Sequence, residues 1–323
     1  MYIIAEVGSN FSSYMDCRDS IVMAKACGAD AVKFQYFSQE KLYGFADYEL
    51  ITKRATGQSL PGELPFAWIP QLSEKARQIG IDFIVSVFDV DDVAPLAPYV
   101  DAFKVASCEF MYFDMYAEMK AIGKKIIASC GAHSYREVSA VMEVEGGKYA
   151  PDVLMYCMVE YPSRYHDLRH VKALADKYPG TDIGYSDHSR DVFACPLYAV
   201  ALGAKVIEKH FRLGHIVDGA DVFHSLDSED FQRMVKAIRG EPSFDMHAYQ
   251  NDAILKYKRR LKAITDIARG ETLEYRKNYS FVRSRTEDTL AGGYLAIPKI
   301  EGRSATRAYQ PGDPINPGDY GGQ

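Results

Sequence analysis

The sequence predicts an α/β protein that consists of a (β/α)8 TIM barrel followed by a small, mostly β domain. Three observations lead to this fold class. Eight short apolar runs alternate with amphipathic stretches from residue 1 to about 240, polar residues collect at the carboxyl ends of those runs, and Gly/Pro turns dominate from residue 259 onward. Eight strand–helix repeats in this length of chain are typical of a single barrel.

The eight runs are too short for typical helices and are rich in Val and Ile, as expected of parallel strands covered on both faces. They span residues 2–8, 30–35, 82–88, 102–107, 125–130, 152–157, 182–187 and 205–211. A doubly wound open sheet is the alternative. Such a sheet usually has a Gly-rich phosphate-binding turn after its first strand, and EVGSNFSS is not such a turn.

The amphipathic stretches predict the helices that separate these strands. They cover roughly residues 18–27, 68–79, 114–122, 134–144, 168–178, 191–202 and 229–238. The connection VDDVAPLAPY, between the third and fourth strands, is the weakest helix because two prolines cut it short.

The chain of 323 residues is long enough for one large domain and one small domain. We expect the catalytic barrel over residues 1–245, a polar linker over 246–258 and the small domain over 259–323. A domain of this last size is marginal for folding alone, so we expect it to dock on another surface.

Composition excludes several classes of protein. The net charge of −6 argues against a nucleic-acid-binding face, although a few lysines can still attract a small anion into one cleft. The sequence has no apolar run long enough for a membrane span, and MYIIAEVGSN lacks the basic start of a signal peptide. We therefore expect a cytoplasmic protein with no membrane partner.

The predicted strands end in polar side chains, and the carboxyl ends of parallel barrel strands form the face where active sites lie. An ordinary structural role is the alternative for each of them. The candidates in chain order are Glu6, Lys33, Ser86, Lys104, Ser107, Ser129, Ser186, His188, His210 and, beyond the eighth strand, Asp221.

His188 and His210 end adjacent strands, so their imidazoles are expected within reach of one metal ion. Two protein ligands leave positions open for substrate, as a catalytic metal requires. Asp187 and Glu208, beside the two histidines, are candidate acceptors that fix the imidazole tautomers. A hydrogen-bonded structural role is the alternative for both histidines.

Lys33 and Lys104 lie inside apolar runs, although lysines are almost never buried unpaired. With the neighbouring serines they predict a cradle for a phosphate or carboxylate group. Salt bridges to Glu6 or Glu109, or a Schiff base on one lysine, remain alternatives. Glu6 is a candidate general acid or base. The residues alone thus indicate metal-assisted chemistry on a phosphorylated or carboxylated metabolite.

Seven segments together resemble the N-acetylneuraminate (sialic acid) synthase family, which includes the legionaminic and pseudaminic acid synthases. They are IIAEVGSN, AVKFQ, FKVAS, YP, IGYSDHS, ALGAKVIEKHF and DGADVFHSLD. SDH followed by EKHF at this spacing is a specific pair of motifs. The tail resembles that family's SAF, or antifreeze-like, domain, so the resemblance covers the whole chain.

The resemblance implies a reaction between phosphoenolpyruvate and the open-chain aldehyde of an N-acylated hexosamine, such as N-acetylmannosamine. The products are a nine-carbon 2-keto acid and phosphate. A divalent metal, Mn²⁺ or Mg²⁺, would be held by His188 and His210 and polarise the aldehyde oxygen while C3 of phosphoenolpyruvate attacks. Water then adds at the cationic C2, and the C–O bond to phosphate breaks.

The resemblance also implies roles for individual residues. Glu6, Tyr161 and Asp221 match catalytic positions, with Glu6 as the acid/base carboxylate and the other two on the sugar side. The positions that match phosphoenolpyruvate-binding residues are Lys33, Ser86, Lys104, Ser107, Ser129 and Ser186.

The SAF domain of this family lends an arginine to the active site of a partner subunit, where it meets the N-acyl group. The matching residue is Arg283, in SFVRSRT, with Arg285 as a rival. The resemblance therefore implies a domain-swapped homodimer.

Three departures from the family pattern bear on the substrate pocket. Phe11 stands where the family usually has a histidine, Val159 stands where an asparagine is frequent, and RSRTEDT lacks the usual Pro-Gly after the arginine. A synthase for another sugar is one reading of these changes. A Schiff-base aldolase using Lys33 or Lys104, and a non-catalytic sugar-binding homologue, are the competing functions.

Overall fold

The computed structural model describes residues 1–39, 41–42, 62–163, 167–240, 259–283, 297–316 and 320–321. The chain divides into two compact units, Met1–Ser243 and Phe244–Gln323. The linker predicted over residues 246–258 lies outside the described residues. Within the described ranges, no helix combines the length and the apolar character that crossing a membrane requires.

The first unit is a closed barrel of eight parallel strands in sequence order, β1 to β8, which confirms the predicted fold class. Strand β1 pairs with both β2 and β8 and so closes the barrel. The strands are β1 Tyr2–Gly8, β2 Ala31–Tyr36, β3 Asp82–Val87, β4 Ala102–Val105, β5 Lys125–Ser129, β6 Val153–Cys157, β7 Asp182–Asp187 and β8 Val206–His210.

Helices follow the strands, close to the predicted ranges. They are α1 Tyr14–Ala26, α2 Ile69–Ile79, α3 Val93–Leu96, α4 Phe113–Ile122, α5 Tyr135–Glu143, α6 Arg169–Lys177, α7 Ala194–Ala201 and α8 Ser228–Ile238. Helix α1 begins before its predicted start because Ser13 caps it and accepts a hydrogen bond from the Asp16 backbone N–H. Helix α3 has only four residues, as its two prolines predict.

Side chains alternate between two cores along the barrel strands. In β1, Ile3, Ala5 and Val7 belong to the large core that also contains helix residues. Ile4 belongs to a smaller cluster inside the barrel. The members of this cluster come from the strands alone and form an apolar floor: Ile4, Ala31, Ile84, Ala102, Ile127, Val153, Met155 and Val206.

A polar layer lies directly above this apolar floor. On seven of the eight strands, the inward-facing residue two positions after the level of the apolar floor is a buried polar or charged side chain. These residues are Glu6, Lys33, Ser86, Lys104, Ser129, Ser186 and Glu208. Strand period and barrel closure therefore bring the strand-end candidates into one ring.

The second unit is small and mostly β. Strands β9 (Arg259–Ala263) and β10 (Tyr279–Arg283) form an antiparallel pair, as do β11 (Ser304–Ala305) and β12 (Tyr320–Gly321). Helix α9 spans Ile297–Ile300. The unit has its own core of Leu261, Ala263, Ile267, Leu273, Tyr279, Ile300, Ala305, Tyr309 and Ile315.

Asp16 fixes the start of α1 to the loop after β8. Its carboxylate accepts hydrogen bonds from Ser12 N (3.0 Å), from the Ser12 and Ser13 hydroxyls (2.8 and 2.9 Å) and from His215 Nε2 (3.0 Å). Desolvation raises the pKa of Asp16, but the hydrogen bonds from His215, Ser12 and Ser13 outweigh it and hold the pKa below the ordinary value. The ionised carboxylate therefore stabilises the folded state.

We expect Asp16→Asn to lower the free energy of unfolding at neutral pH by about 1–2 kcal/mol, because hydrogen bonds to a charged group are lost. A depressed folded-state pKa gives stability that is present above the unfolded pKa near 4 and is lost as the pH falls through the folded pKa. Urea unfolding of the wild type and the variant should converge at acid pH. Asp19→Asn, on the exposed face of the same helix, is the control and should cost far less. A difference that grows toward acid pH would contradict this account.

Candidate active site and metal centre

A cavity of about 640 Å³ opens above the polar layer, at the carboxyl ends of the strands. Ten of the predicted site residues line it: Glu6, Lys33, Ser86, Lys104, Ser107, Ser129, Tyr161, Ser186, His188 and His210. Asp221 follows Ala220, which also lines the cavity. Arg283 ends β10 in the second unit, and Arg285 lies outside the described residues.

Lys33 is the centre of a buried ionic cluster. Its Nζ lies 2.7 Å from Glu6 Oε2 and 3.5 Å from Glu208 Oε1, and it donates a hydrogen bond to Ser86 Oγ at 3.0 Å. Gln35 Nε2 donates to the other Glu6 oxygen at 2.8 Å. Glu6 and Lys33 are partners in the β1–β2 register, which explains their contact. Lys33 is thus both ion-paired and part of the cavity wall.

The electrostatics of this cluster suit proton exchange at Glu6. Burial, reinforced by the negative charge of Glu208, raises the pKa of Glu6 to about 7 against the opposing effect of Lys33. Burial lowers the pKa of Lys33, but the carboxylates of Glu208 and Glu6 outweigh it and leave the pKa raised. At neutral pH, Lys33 is therefore protonated while Glu6 populates both of its protonation states.

Lys104 differs from Lys33 because none of the described carboxylates lies within 4.0 Å of its Nζ. The ammonium donates hydrogen bonds to Ser129 Oγ at 2.7 Å and to the Val105 carbonyl at 3.2 Å. Burial lowers its pKa. A bound anion would compensate this desolvated charge, so Lys104 and Ser129 form the best anion-binding element of the cavity.

The remaining two serines lie on either side of these lysines. Ser107 Oγ accepts a hydrogen bond from Gly131 N–H at 3.2 Å and lies 2.7 Å from Cys157 Sγ. Ser186 Oγ donates to Glu208 Oε1 at 3.0 Å. All four predicted cavity serines therefore contact charged residues or the surrounding backbone. Ser86, Ser129 and Ser186 lie on strands, and Ser107 begins the short helical turn after β4.

His188 and His210 lie side by side at the ends of the neighbouring strands β7 and β8, with their rings edge to face and the centroids 5.7 Å apart. The Nδ1 of His188 lies 2.6 Å from the Met158 carbonyl, so Nδ1–H is the donor and Nε2 keeps its lone pair. The expected acceptors Asp187 and Glu208 do not fix these rings. Asp187 faces outward beside His188 and binds Lys209 at 2.7 Å, whereas Glu208 is engaged by Ser186 and Lys33.

His224 is a third imidazole at this site that the sequence reading missed. It ends a short helical turn that follows Asp221, and its ring centroid lies 4.3 Å from that of His210. Among the described residues, His210, Asp221 and His224 each offer a ligand atom within 4.8 Å of the others. The signal was present in the segment DGADVFHS, where a histidine follows the aspartate by one helical turn.

The donors of this region fit a divalent metal ion. His210 Nδ1 and His224 Nε2 are buried and have no hydrogen-bond partner in the described part of the chain. Burial lowers the pKa of His188 to about 4 and holds the pKa of His210 well below its ordinary value, so both imidazoles are neutral. Neutral imidazoles and a carboxylate are the ligands that first-row divalent metals take.

Phe11 and Val159, two of the departures from the family pattern, lie in different parts of the first unit. Phe11 packs edge-on against Phe34 and Trp68, with ring centroids 6.4 Å apart in each pair, so it belongs to the hydrophobic core. Val159 lines the cavity and is exposed there. Tyr161 stacks on His188 at 4.2 Å and is also exposed. The change at Val159 therefore bears directly on the cavity wall.

Comparison with known proteins gives matches over most of the chain. The model of the NeuB family matches residues 20–243. An uncharacterised protein of Methanocaldococcus jannaschii is 34% identical over 87% of this chain and 84% of its own. A pseudaminic acid synthase of Campylobacter jejuni is 30% identical over 99% of this chain and 96% of its own. The structure of an N-acetylneuraminic acid synthetase from Leptospira borgpetersenii has a TM-score of 0.66 and 27% identity, over 78% of this chain and 90% of that one.

Proposed function

Because the chain belongs to the NeuB family, we propose that it is a nonulosonic acid synthase. It condenses phosphoenolpyruvate with the open-chain form of an N-acylated hexosamine and releases a nine-carbon 2-keto acid and phosphate. The observation that carries the proposal is the ring of buried lysines and hydroxyls above the apolar floor, with imidazoles at the rim of the same cavity.

Phosphoenolpyruvate is assigned to the bottom of the cavity. Lys104 and Ser129 supply a desolvated ammonium and a hydroxyl to its anionic groups, and Lys33 adds a second positive charge. Ser86, Ser107 and Ser186 complete the proposed binding set. In this position the substrate lies close to Glu6, whose carboxylate contacts Lys33.

Glu6 is the proposed acid/base residue. C3 of phosphoenolpyruvate attacks the aldehyde carbon, whose oxygen takes up a proton and becomes a hydroxyl. Water adds at C2 and loses one proton to Glu6. The C2–O bond to phosphate then breaks as the new C2 hydroxyl loses its proton, which leaves the 2-keto group and inorganic phosphate. A carboxyl group that exchanges protons near neutral pH suits this role, because its protonated and ionised forms are both populated.

The proposed metal is Mn²⁺ or Mg²⁺, held at His188 and His210. When bound, it supplies Lewis-acid polarisation of the aldehyde oxygen. The Met158 carbonyl holds the His188 ring with its Nε2 lone pair directed away from that hydrogen bond. The neutral state of both imidazoles leaves their nitrogens available as ligands.

The sugar is assigned to the mouth of the cavity, beside Tyr161 and Asp221. Val159 lines this region, and Phe37 and Phe88 form an edge-to-face pair with centroids 5.5 Å apart in the cavity wall. These apolar side chains favour a sugar with methyl groups, such as a diacetamido-trideoxyhexose, over a 6-phosphorylated one.

The second unit is proposed to be an SAF domain. Its own core and its paired short strands support an independently organised module. By similarity, Arg283 would reach the N-acyl group in a partner subunit of a domain-swapped homodimer. The cytoplasm, where phosphoenolpyruvate is formed, is the proposed location.

The test is phosphate release from phosphoenolpyruvate with Mn²⁺, with and without EDTA. The sugars are N-acetylmannosamine, its 6-phosphate and the diacetamido-trideoxyhexose precursors of legionaminic and pseudaminic acids. Metal-dependent release with one sugar is the expected result. Sugar binding without phosphate release, by protein that is folded and metal-loaded, would favour a non-catalytic binding role.

A Schiff-base aldolase is the second candidate, and one observation favours it. The lowered pKa of Lys104 leaves a larger fraction of its amine neutral, and so able to attack a carbonyl carbon, than in Lys33, whose pKa is raised. Borohydride reduction in the presence of pyruvate and sugar, followed by mass spectrometry, detects such an adduct. An adduct on Lys104 together with EDTA-resistant turnover would replace the synthase proposal.

A further inference from the structure

The loop after β8 carries two potential metal ligands besides His210. Asp221 Oδ1 lies 3.6 Å from His224 Nε2, a distance too long for a hydrogen bond. The rings of His210 and His224 are nearly perpendicular, at 82°, so the edge of one imidazole approaches the face of the other. The ligand atoms that His210, Asp221 and His224 offer all lie within 4.8 Å of one another.

Both imidazoles are buried, and each has a ring nitrogen without a hydrogen-bond partner among the described residues. His210 is 4% exposed and His224 is 3% exposed. The ring atoms His210 Nδ1 and His224 Nε2 have no hydrogen bond with any residue that the structure describes. Unpaired buried nitrogens are costly, and a metal ion is one way to satisfy them.

The loop is held in this conformation by contacts from the residues that follow β1. Asn10 Nδ2 donates to the Phe211 carbonyl at 3.0 Å and to Ser225 Oγ at 2.7 Å, and Ser225 Oγ donates to the Asp221 carbonyl at 2.6 Å. Ser9 N–H donates to Asp221 Oδ2 at 2.7 Å. Asp221 Oδ1 is left to face His224, so the three donors are preorganised by the fold.

We propose that His224 is a protein ligand of the metal ion, and that it adds a third imidazole to the pair His188 and His210, with Asp221 as the carboxylate ligand. This inference rests on the proposed function, because the proposed synthase reaction is what gives the metal ion its role. It goes beyond the pair His188 and His210, because it assigns a third imidazole and moves the ion toward the loop after β8. Such a ligand set leaves positions open for substrate and favours Mn²⁺, Fe²⁺ or Co²⁺ over Mg²⁺, which prefers oxygen ligands.

The experiment measures metal binding to the full chain without substrate, so that it is independent of turnover. Apo-protein is titrated with Co²⁺ and with Mn²⁺, followed by visible absorption and calorimetry, for the wild type, His224→Gln and His188→Gln. The control is His215→Gln, an exposed histidine of the same loop. Substitutions around a metal ligand typically cost about 10–100-fold in affinity, so loss of a ligand should cost more than about 100-fold.

We expect His224→Gln to lose metal affinity to this extent, while His215→Gln binds like the wild type. Wild-type affinity in His224→Gln, combined with loss of affinity in His188→Gln, would overturn the proposal in favour of the histidine pair at the strand ends. A synthase whose His224→Gln variant binds metal normally would refute only this inference. Absence of phosphate release from metal-loaded wild type would refute only the proposed function.

A second variant covers the case in which His224→Gln does not fold. His224→Cys places a thiol at the same position, and a thiolate ligand gives Co²⁺ a charge-transfer band in the near-ultraviolet. We expect this band on Co²⁺ binding, and we expect it to disappear with EDTA. Stoichiometric Co²⁺ binding without the band would show that residue 224 lies outside the coordination sphere.

Discussion

Glu6→Gln is expected to lower kcat by about 10²–10⁴-fold, the usual contribution of a general acid or base. Glutamine has the shape of glutamate, but it cannot exchange the proton, and its single amide oxygen can accept a hydrogen bond from Lys33 or from Gln35 but not from both. The variant also removes a negative charge next to Lys33, so phosphoenolpyruvate binding is not weakened. We therefore expect the KM for phosphoenolpyruvate to stay the same or fall while kcat falls.

Steady-state phosphate release with the cognate sugar measures both constants. Glu109→Gln is the matched control, because Glu109 also lines the cavity and has its pKa raised by burial, but it belongs to no ion pair in the described structure. This variant should keep most of its kcat. Equal losses in the two variants, or a Glu6→Gln effect confined to KM, would remove Glu6 from the acid/base role.

Lys209→Met is expected to destabilise the first unit by about 3–5 kcal/mol, the cost of leaving one member of a buried ion pair without its partner. Lys209 and Asp187 are fully buried, with Nζ 2.7 Å from Asp187 Oδ2. The same ammonium donates to the carbonyls of Ser189 and Asp191 at 2.6 and 2.9 Å. Lys209 therefore also holds the chain that follows His188.

Lys205→Met is the matched control, just before the same strand. Lys205 Nζ lies 2.7 Å from Asp182, but its side chain is 65% exposed, so its loss should cost less than about 1 kcal/mol. Chemical denaturation gives both values. The double variant Lys209→Met with Asp187→Asn should recover part of the loss, because no unpaired charge remains. Equal stability of the two single variants would contradict the assigned role of Lys209.

The sequence was sufficient to predict the barrel because its strands are apolar on both faces and stand out from the amphipathic helices. The predicted run 182–187 coincides with β7, and the run 2–8 coincides with β1. The predicted starts of the helices were less accurate than the predicted strands. Helix α1 begins at Tyr14 rather than near residue 18, because a side-chain cap and not the apolar pattern determines its start.

The sequence was sufficient to predict which residues line the candidate site, but not which of these residues contact one another. The inward position on each strand follows from the period of two, and this placed Lys33 and Lys104 in one cavity. Which lysine meets a carboxylate depends on the register between neighbouring strands, where Glu6 lies opposite Lys33 and Ser86 lies opposite Lys104. That register cannot be read from either strand alone.

His224 was missed for a related reason. It lies on a loop, and its approach to His210 depends on hydrogen bonds that Asn10 makes with Phe211 and Ser225, about 200 residues away in the sequence. The roles of Tyr161, Asp221 and Arg283 remain predictions, since they depend on how the sugar and a partner subunit meet the cavity.

The apolar floor beneath the polar layer has a kinetic consequence. Because this layer closes the barrel from below, the cavity that the described residues line opens at the carboxyl ends of the strands, and we expect both substrates to enter from that side. With phosphoenolpyruvate assigned to the lysines at the bottom and the sugar to the loops at the mouth, a bound sugar blocks the way in. We therefore expect ordered addition, with phosphoenolpyruvate binding first, and we expect excess sugar to inhibit by forming a dead-end complex.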